Sequence, residues 1–279
     1  MVTDQIIGVV GAGNIGRALI GGILKAHEID PSRLRASRRN PALAAELRAQ
    51  FPGVQSGTDP RAAARGASIV VLAVKPQGAA AVIAEIRDDV ADDALVISVL
   101  AGLTTDAIRE AIGRDVAIIR AMPNTPMIVD EGATALAPGV FATDRHMALA
   151  RQLFEAVGMV EIVPEYLMDA VTGLSGSGPA YVYMIIEALT DGGVKQGIPR
   201  PQAFKLATQT VFGAAKLVRE TGKHPAILRD EVTTPGGTAI AAVADLEAHG
   251  LRTMLINAVA TATARSQELA RLGGSAPSK

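Results

Sequence analysis

The 279-residue chain has no cysteine and no tryptophan, with only five phenylalanines and three tyrosines. Without cysteine there is no disulfide, no thiolate nucleophile and no thiolate-ligated metal, although the absence leaves the redox compartment open. The four histidines, His27, His146, His224 and His249, lie far apart and show no metal-ligand spacing. They read as solvated or capping residues, and no metal is expected. No stretch of about 18 apolar residues is free of charges and turn signals, so no membrane span is expected. Neither sign of charge prevails: Lys and Arg number 27 against 28 Asp and Glu. That balance gives no electrostatic case for nucleic acid or an anionic membrane surface. The apolar run at 6–10 is short, has no basic leader and reads as a strand rather than a signal peptide, so a cytoplasmic location is expected.

The length is enough for about two domains. In the first half, short apolar runs at 6–10, 33–36, 68–74, 94–99 and 116–121 read as strands. Helical stretches at 15–26, 41–50, 77–87 and 105–112 separate them. This alternation predicts a doubly wound parallel sheet of Rossmann type. Runs at 133–137 and 159–163 can add edge strands around a helix at 144–157. Pro164 marks a change of texture, after which helices are expected at 167–172, 179–196, 201–220, 225–231, 237–249 and 251–272, and a frayed tail at 273–279. The expected division is therefore an α/β domain over 1–163 and an all-helical domain over 164–279, its alanine-rich helices packing through small residues.

The first apolar run leads into Gly11-Ala12-Gly13-Asn14-Ile15-Gly16. A G-x-G-x-x-G segment between a strand and a helix is the pattern of a dinucleotide site. Gly11 allows the tight turn, Gly13 lets the backbone approach a pyrophosphate, and Gly16 allows close helix packing. At the end of the second strand, where a site for NADH places an acid, this chain has Ser37-Arg38-Arg39. A hydroxyl and two guanidinium groups suit a 2′-phosphate, which favours NADPH, with NADH still possible. Two further strands end in Ala73-Val74-Lys75-Pro76 and Met122-Pro123-Asn124. Small Ala73 lets a cofactor lie against the backbone, and Lys75 can reach phosphate, ribose or substrate. Asn124 can meet nicotinamide or substrate, or serve the turn alone.

The helical half carries two unusual segments, Gly173-Leu174-Ser175-Gly176-Ser177-Gly178-Pro179-Ala180-Tyr181 and Thr233-Thr234-Pro235-Gly236-Gly237-Thr238. Each places glycines and hydroxyls ahead of an expected helix, where free N–H groups suit an anion such as a substrate carboxylate.

In this order, the Gly loop, Ala73–Pro76, Met122–Pro126, 174–181 and 232–238 resemble the pyrroline-5-carboxylate reductase family over nearly the whole chain. The resemblance implies reduction of the cyclic imine of 1-pyrroline-5-carboxylate to L-proline, the last step of proline synthesis. It also implies a helical dimerisation domain and frequently a ring of five dimers. On this reading the partners are a small cyclic imino acid and further copies of the chain. The backbone at Gly236, Gly237 and Thr238, with Thr234 and Ser177, is expected to hold the substrate, and Thr238, Ser175 and Thr234 to serve catalysis. Where family members often carry a second threonine, this chain has Ala239, so proton delivery passes to Thr238, Ser175 or water. A related hydroxy-acid dehydrogenase would need Lys and Asn where Val182 and Ile186 stand, and neither can move a hydroxyl proton. A non-catalytic NADP-binding sensor would leave both segments without a role.

Overall fold

The computed structural model describes residues 1–274, with the backbone alone for 272–274. Two compact units are present: Met1–Ser177 together with the chain from Thr261 onward, and Gly178–Ala260.

The first unit alternates strands and helices in the order β1 (Ile7–Val10), α1 (Asn14–Ala26), β2 (Leu34–Ser37), α2 (Pro41–Gln50), β3 (Gln55–Gly57), α3 (Pro60–Ala64), β4 (Ile69–Leu72), α4 (Ala79–Ile86), β5 (Leu95–Ser98), α5 (Thr105–Ile112), β6 (Ala117–Met122), β7 (Gly132–Pro138), α6 (Asp144–Glu155) and β8 (Gly158–Ile162). One eight-stranded sheet results, ordered β3-β2-β1-β4-β5-β6-β7-β8. Neighbours are parallel except β6 and β7, which run antiparallel. The link 123–131 between those two strands is too short for a helical crossover, so β7 turns back along its neighbour. β8 then pairs in parallel with β7 after the α6 crossover.

Every residue of β1, β4 and β5 is buried, as sandwiched parallel strands require. On one face Leu19, Ile20 and Ile23 of α1 join Leu153 and Phe154 of α6 in the core. On the other, Val82, Ile83 and Ile86 of α4 meet Ile108 and Ile112 of α5. The strand order reverses between β1 and β4, so a crevice opens at their carboxyl ends, where ligands bind in this architecture.

Beyond Pro164, the chain stays with the first unit through α7 (Met168–Val171) and a π-helical turn, Thr172–Gly176. Glu165 holds the start of this segment. Its carboxylate accepts from the Thr105 backbone N–H and hydroxyl, both at 2.7 Å, and pairs with the buried Arg120 guanidinium at 3.3 Å.

The second unit contains α8 (Gly178–Lys195), α9 (Arg200–Thr221), α10 (Pro225–Glu231), α11 (Thr238–Ala248) and the first part of α12 (Leu251–Gly274). α8 and α9 meet through small residues: a Cβ on Gly193 would lie 3.1 Å from the Ala203 Cβ. Gly222, with φ of 63°, ends α9 in the left-handed conformation that suits glycine. The expected tail overlaps α12, which continues to Gly274, while 275–279 lie outside the described residues.

Candidate functional site

The crevice beside β1 and β4 holds a cavity of about 580 Å³, lined by Gly11, Gly13, Ser37, Arg38, Arg39, Ala73, Val74 and Lys75 among others. Gly11 has φ of +85°, and a Cβ there would overlap the Val74 side chain. Its N–H, like that of Ala12, donates to the Ser37 carbonyl, at 3.1 and 2.9 Å, which ties the loop to the end of β2. Gly16 packs α1 on β1, since a Cβ there would lie 2.9 Å from Val9 Cγ1. Gly13 differs: the nearest atom to its imagined Cβ is 3.8 Å away. Internal packing does not demand glycine at this position; a ligand approaching the backbone would. No side chain caps the N-terminus of α1, so the N–H groups after Gly13 are free to meet an anion. Asn14 is exposed and Ile15 half-buried on this first turn.

Arg38 is half-buried and Arg39 exposed, and neither guanidinium is ion-paired among the described residues. Their backbone is fixed instead, the Arg38 N–H donating to the Gly57 carbonyl at 2.9 Å. Ser37 is buried, and its hydroxyl oxygen lies 3.4 Å from the Gly11 N–H. Two unpaired cations at the cavity wall, with no acid at the end of β2, fit a 2′-phosphate. Lys75 lines the cavity and is exposed, and Pro76 begins the turn that leads to α4. Thr58, Gln77 and Gly78 also line it. Sequence reasoning missed Thr58 because β3, which delivers it, is a three-residue edge strand without an apolar pattern.

Met122 and Pro123 are buried at the end of β6. Asn124 is nearly buried and both ends of its amide are engaged: Nδ2 donates to the Ser175 carbonyl at 3.0 Å, and Oδ1 accepts from the Ala133 N–H at 2.8 Å. The amide therefore ties the end of β6 to the segment at Ser175 and to the start of β7.

The Ser-Gly-Ser segment departs from expectation. It is a π-helical turn with the Ser177 N–H donating to the Thr172 carbonyl at 2.8 Å, not a loop with free N–H groups. The hydroxyls of Thr172 and Ser175 turn back to the Met168 and Val171 carbonyls, at 2.8 and 3.2 Å. Glycines let the wider turn form, and such turns concentrate at functional sites.

The Thr233–Thr238 segment behaves as expected. Gly236, with φ of +69°, makes the turn, and the Gly237 N–H donates to the Thr234 carbonyl at 2.9 Å. A Cβ on Gly237 would overlap the Thr234 hydroxyl. No side chain caps α11, so its first N–H groups are free, with the exposed Thr234 and Thr238 beside them. Ala239 presents only a methyl group there.

Residues 165–269 match the model of the pyrroline-5-carboxylate reductase dimerisation family, and 6–102 match that of NADP oxidoreductases, coenzyme F420-dependent. A pyrroline-5-carboxylate reductase of Methanosarcina acetivorans is 42% identical over 96% of this chain and 99% of its own length. The Escherichia coli enzyme of that name is 40% identical over the same shares. The chain belongs to the pyrroline-5-carboxylate reductase family. Among solved structures, the reductase of Coxiella burnetii superposes with a TM-score of 0.89 at 37% identity, covering 95% of this chain and 98% of the other. That of Plasmodium falciparum, described with NADP bound, gives 0.85 at 29% identity, covering 98% and 99%.

The matched dimerisation segment starts at 165, whereas packing divides the chain after Ser177. Both glycine-rich segments fall inside the family match. No helix among the described residues is long and apolar enough to cross a membrane. No cluster of His, Cys, Asp or Glu among them could hold a metal.

Proposed function

We propose that the chain reduces the cyclic imine of 1-pyrroline-5-carboxylate to L-proline, completing proline synthesis, with NADPH as the preferred reductant and NADH as a poorer one. The observation that carries this reading is near-full-length similarity to relatives named for the reaction. The unpaired Arg38 and Arg39 at the end of β2 support the choice of NADPH.

NADPH, when bound, supplies hydride to the imine carbon. The residues of the chain supply binding and orientation. Gly13 and the uncapped start of α1 receive the pyrophosphate, with Ala12, Asn14 and Ile15 forming the turn around it. Ser37, Arg38 and Arg39 receive the 2′-phosphate. Ala73, Val74, Lys75 and Pro76 line the path of the cofactor, and Met122 and Pro123 bound its nicotinamide end. The N–H groups at Gly236, Gly237 and Thr238, with the Thr234 hydroxyl, hold the substrate carboxylate, and Ser177 offers a further hydroxyl. Reduction puts hydride on carbon and a proton on nitrogen. The basic imine nitrogen takes that proton from solvent or a hydroxyl, so the site must offer it a hydrogen-bonding partner rather than a strong acid. The exposed Thr238 hydroxyl suits that task better than Ser175, whose hydroxyl already donates to the Val171 carbonyl.

Self-association through 164–279 belongs to the same reading, supported by the dimerisation-family match and by the apolar side chains left exposed on α8, α9 and α12. Assembly of five dimers into a ring rests on the family resemblance alone, and a cytoplasmic location is the default that accompanies it. The deciding experiment follows NADPH absorbance with the cyclic imine and identifies L-proline chromatographically. Turnover with a 2-hydroxy acid or its keto form instead would favour the dehydrogenase alternative, and cofactor binding without turnover would favour a sensor.

A further inference from the structure

We propose that Asn124 is a positioning residue that locks the π-helical turn Thr172–Gly176 onto the end of β6, and so sets Ser175 and Ser177 in register with the nicotinamide end of the cofactor site. The inference rests on the imine-reductase reading and adds to it a residue whose role is indirect.

In a regular helix the Ser175 carbonyl would accept from the N–H of the residue four positions on. That residue is Pro179, which has no N–H to give. A carbonyl left without its helical donor in partly buried surroundings costs stability unless another donor reaches it. Asn124 Nδ2 reaches it at 3.0 Å. The other end of the same amide accepts from the Ala133 N–H at the start of β7, at 2.8 Å. One nearly buried side chain thus joins three segments: the turn after β6, the first residues of β7, and the π-helical turn. The donor and acceptor neighbours also fix which end of the amide is nitrogen. Two prolines stiffen the chain on either side of it, Pro123 directly before and Pro126 two residues after. A second contact is close by, where a Cβ on Gly176 would lie 3.9 Å from Met122 Sδ, so the turn rests on two successive features of the β6 end. Asn124 needs to touch neither cofactor nor substrate to act. A merely structural residue would alter folding and cofactor binding in step, whereas a positioning residue at this junction alters turnover first.

The test measures NADPH affinity by direct binding and kcat/KM for the cyclic imine in the full-length protein. Asn124→Ala removes both bonds, and Asn124→Asp keeps the acceptor for Ala133 but loses the donor to Ser175. We expect either variant to lower kcat/KM about tenfold or more while NADPH affinity stays within about twofold, as loss of one buried hydrogen-bond partner implies. Pro179→Ala supplies a backbone N–H at the vacant position, so adding it to Asn124→Ala should recover part of the loss. Should the alanine variant fold poorly, the aspartate variant still decides. Its protonated carboxyl can donate to Ser175, so its kcat/KM relative to wild type should rise as pH falls. Unchanged kcat/KM, a parallel loss of NADPH affinity, or an aspartate variant whose pH profile follows wild type would overturn the proposal. An inactive wild-type protein would instead overturn the imine-reductase reading.

Discussion

The sheet unit and the helical unit of this chain bury their side chains very differently. In the first, β1, β4 and β5 are wholly buried and helices cover both faces. In Gly178–Ala260 the buried residues are Thr190, Ala203 and Ala207, while Tyr183, Met184, Phe204, Leu206, Phe212, Met254 and Ile256 are exposed. Aliphatic side chains sandwiched in a sheet satisfy each other within one chain. The helical unit has comparable apolar content spread around its helices, with only a narrow seam of small residues between α8 and α9. Exposed apolar surface of this extent is the mark of an interaction face. A domain of this kind is completed by a second copy, in line with the dimerisation family it matches.

The largest expected effect comes from breaking that face. Met254→Asp with Ile256→Asp places charges on exposed apolar positions of α12 and should abolish assembly and lower kcat/KM on the order of 100-fold, the scale of lost interface anchors. With NADPH assigned to the sheet unit as proposed, its binding should survive; its loss would show that the two units are not separable in this way. Gly237→Val is expected to come next. The added side chain would overlap the Thr234 hydroxyl at the start of α11, raising KM for the imine acid about 10–100-fold, as the loss of charge-assisted hydrogen bonds implies. Steady-state kinetics at saturating NADPH read this directly. Arg38→Ala with Arg39→Ala acts on the sheet unit alone and should weaken NADPH by about 1.5–3 kcal/mol while leaving NADH nearly untouched. Equal loss of both cofactors would remove the 2′-phosphate assignment.

The smallest effect is a pH dependence confined to the sheet unit. The Arg61 guanidinium, helped by Arg65, holds the Asp89 carboxyl below its ordinary value. Burial, with Arg145 nearby, pushes the His146 imidazole below its ordinary value. In both cases the unfolded chain binds the proton more readily. Their contributions are therefore present above the ordinary pKa of each group and are lost as pH falls, from about 6.5 for His146 and about 4 for Asp89. Asp89→Asn should cost about 1 kcal/mol near neutrality and less in acid, a convergence that thermal melts at several pH values would reveal.

Much of this contrast is legible in the sequence. The Gly11–Gly16 loop, the arginine pair and the alternating apolar runs point to the sheet unit, because a buried parallel strand and a glycine turn leave local signals. β3 and the short helix after it both escape notice: Gln55–Gly57 carries no apolar pattern, and the helix is only five residues long, although its Asp59 cap and Pro60 could have signalled it. The antiparallel β7 could have been inferred from its short link. The π-helical turn could not, since glycine and serine give the same loop signal whichever carbonyl the backbone chooses. The sequence leaves Asn124 open between a ligand contact and the turn, and gives no sign of its bonds because its partners lie 9 and 51 positions away. The helical unit reads correctly as helices, but its exposed apolar side chains await the self-association with a second copy that the dimerisation match supports.

Sedimentation velocity at the enzyme concentration used for activity, with NADPH turnover followed in the separated fractions, tests that last point most directly. All imine-reducing activity should travel with species of at least twice the 28.7 kDa chain mass. Full specific activity in a 28.7 kDa monomer would contradict the conclusion that the helical unit is completed by a second copy.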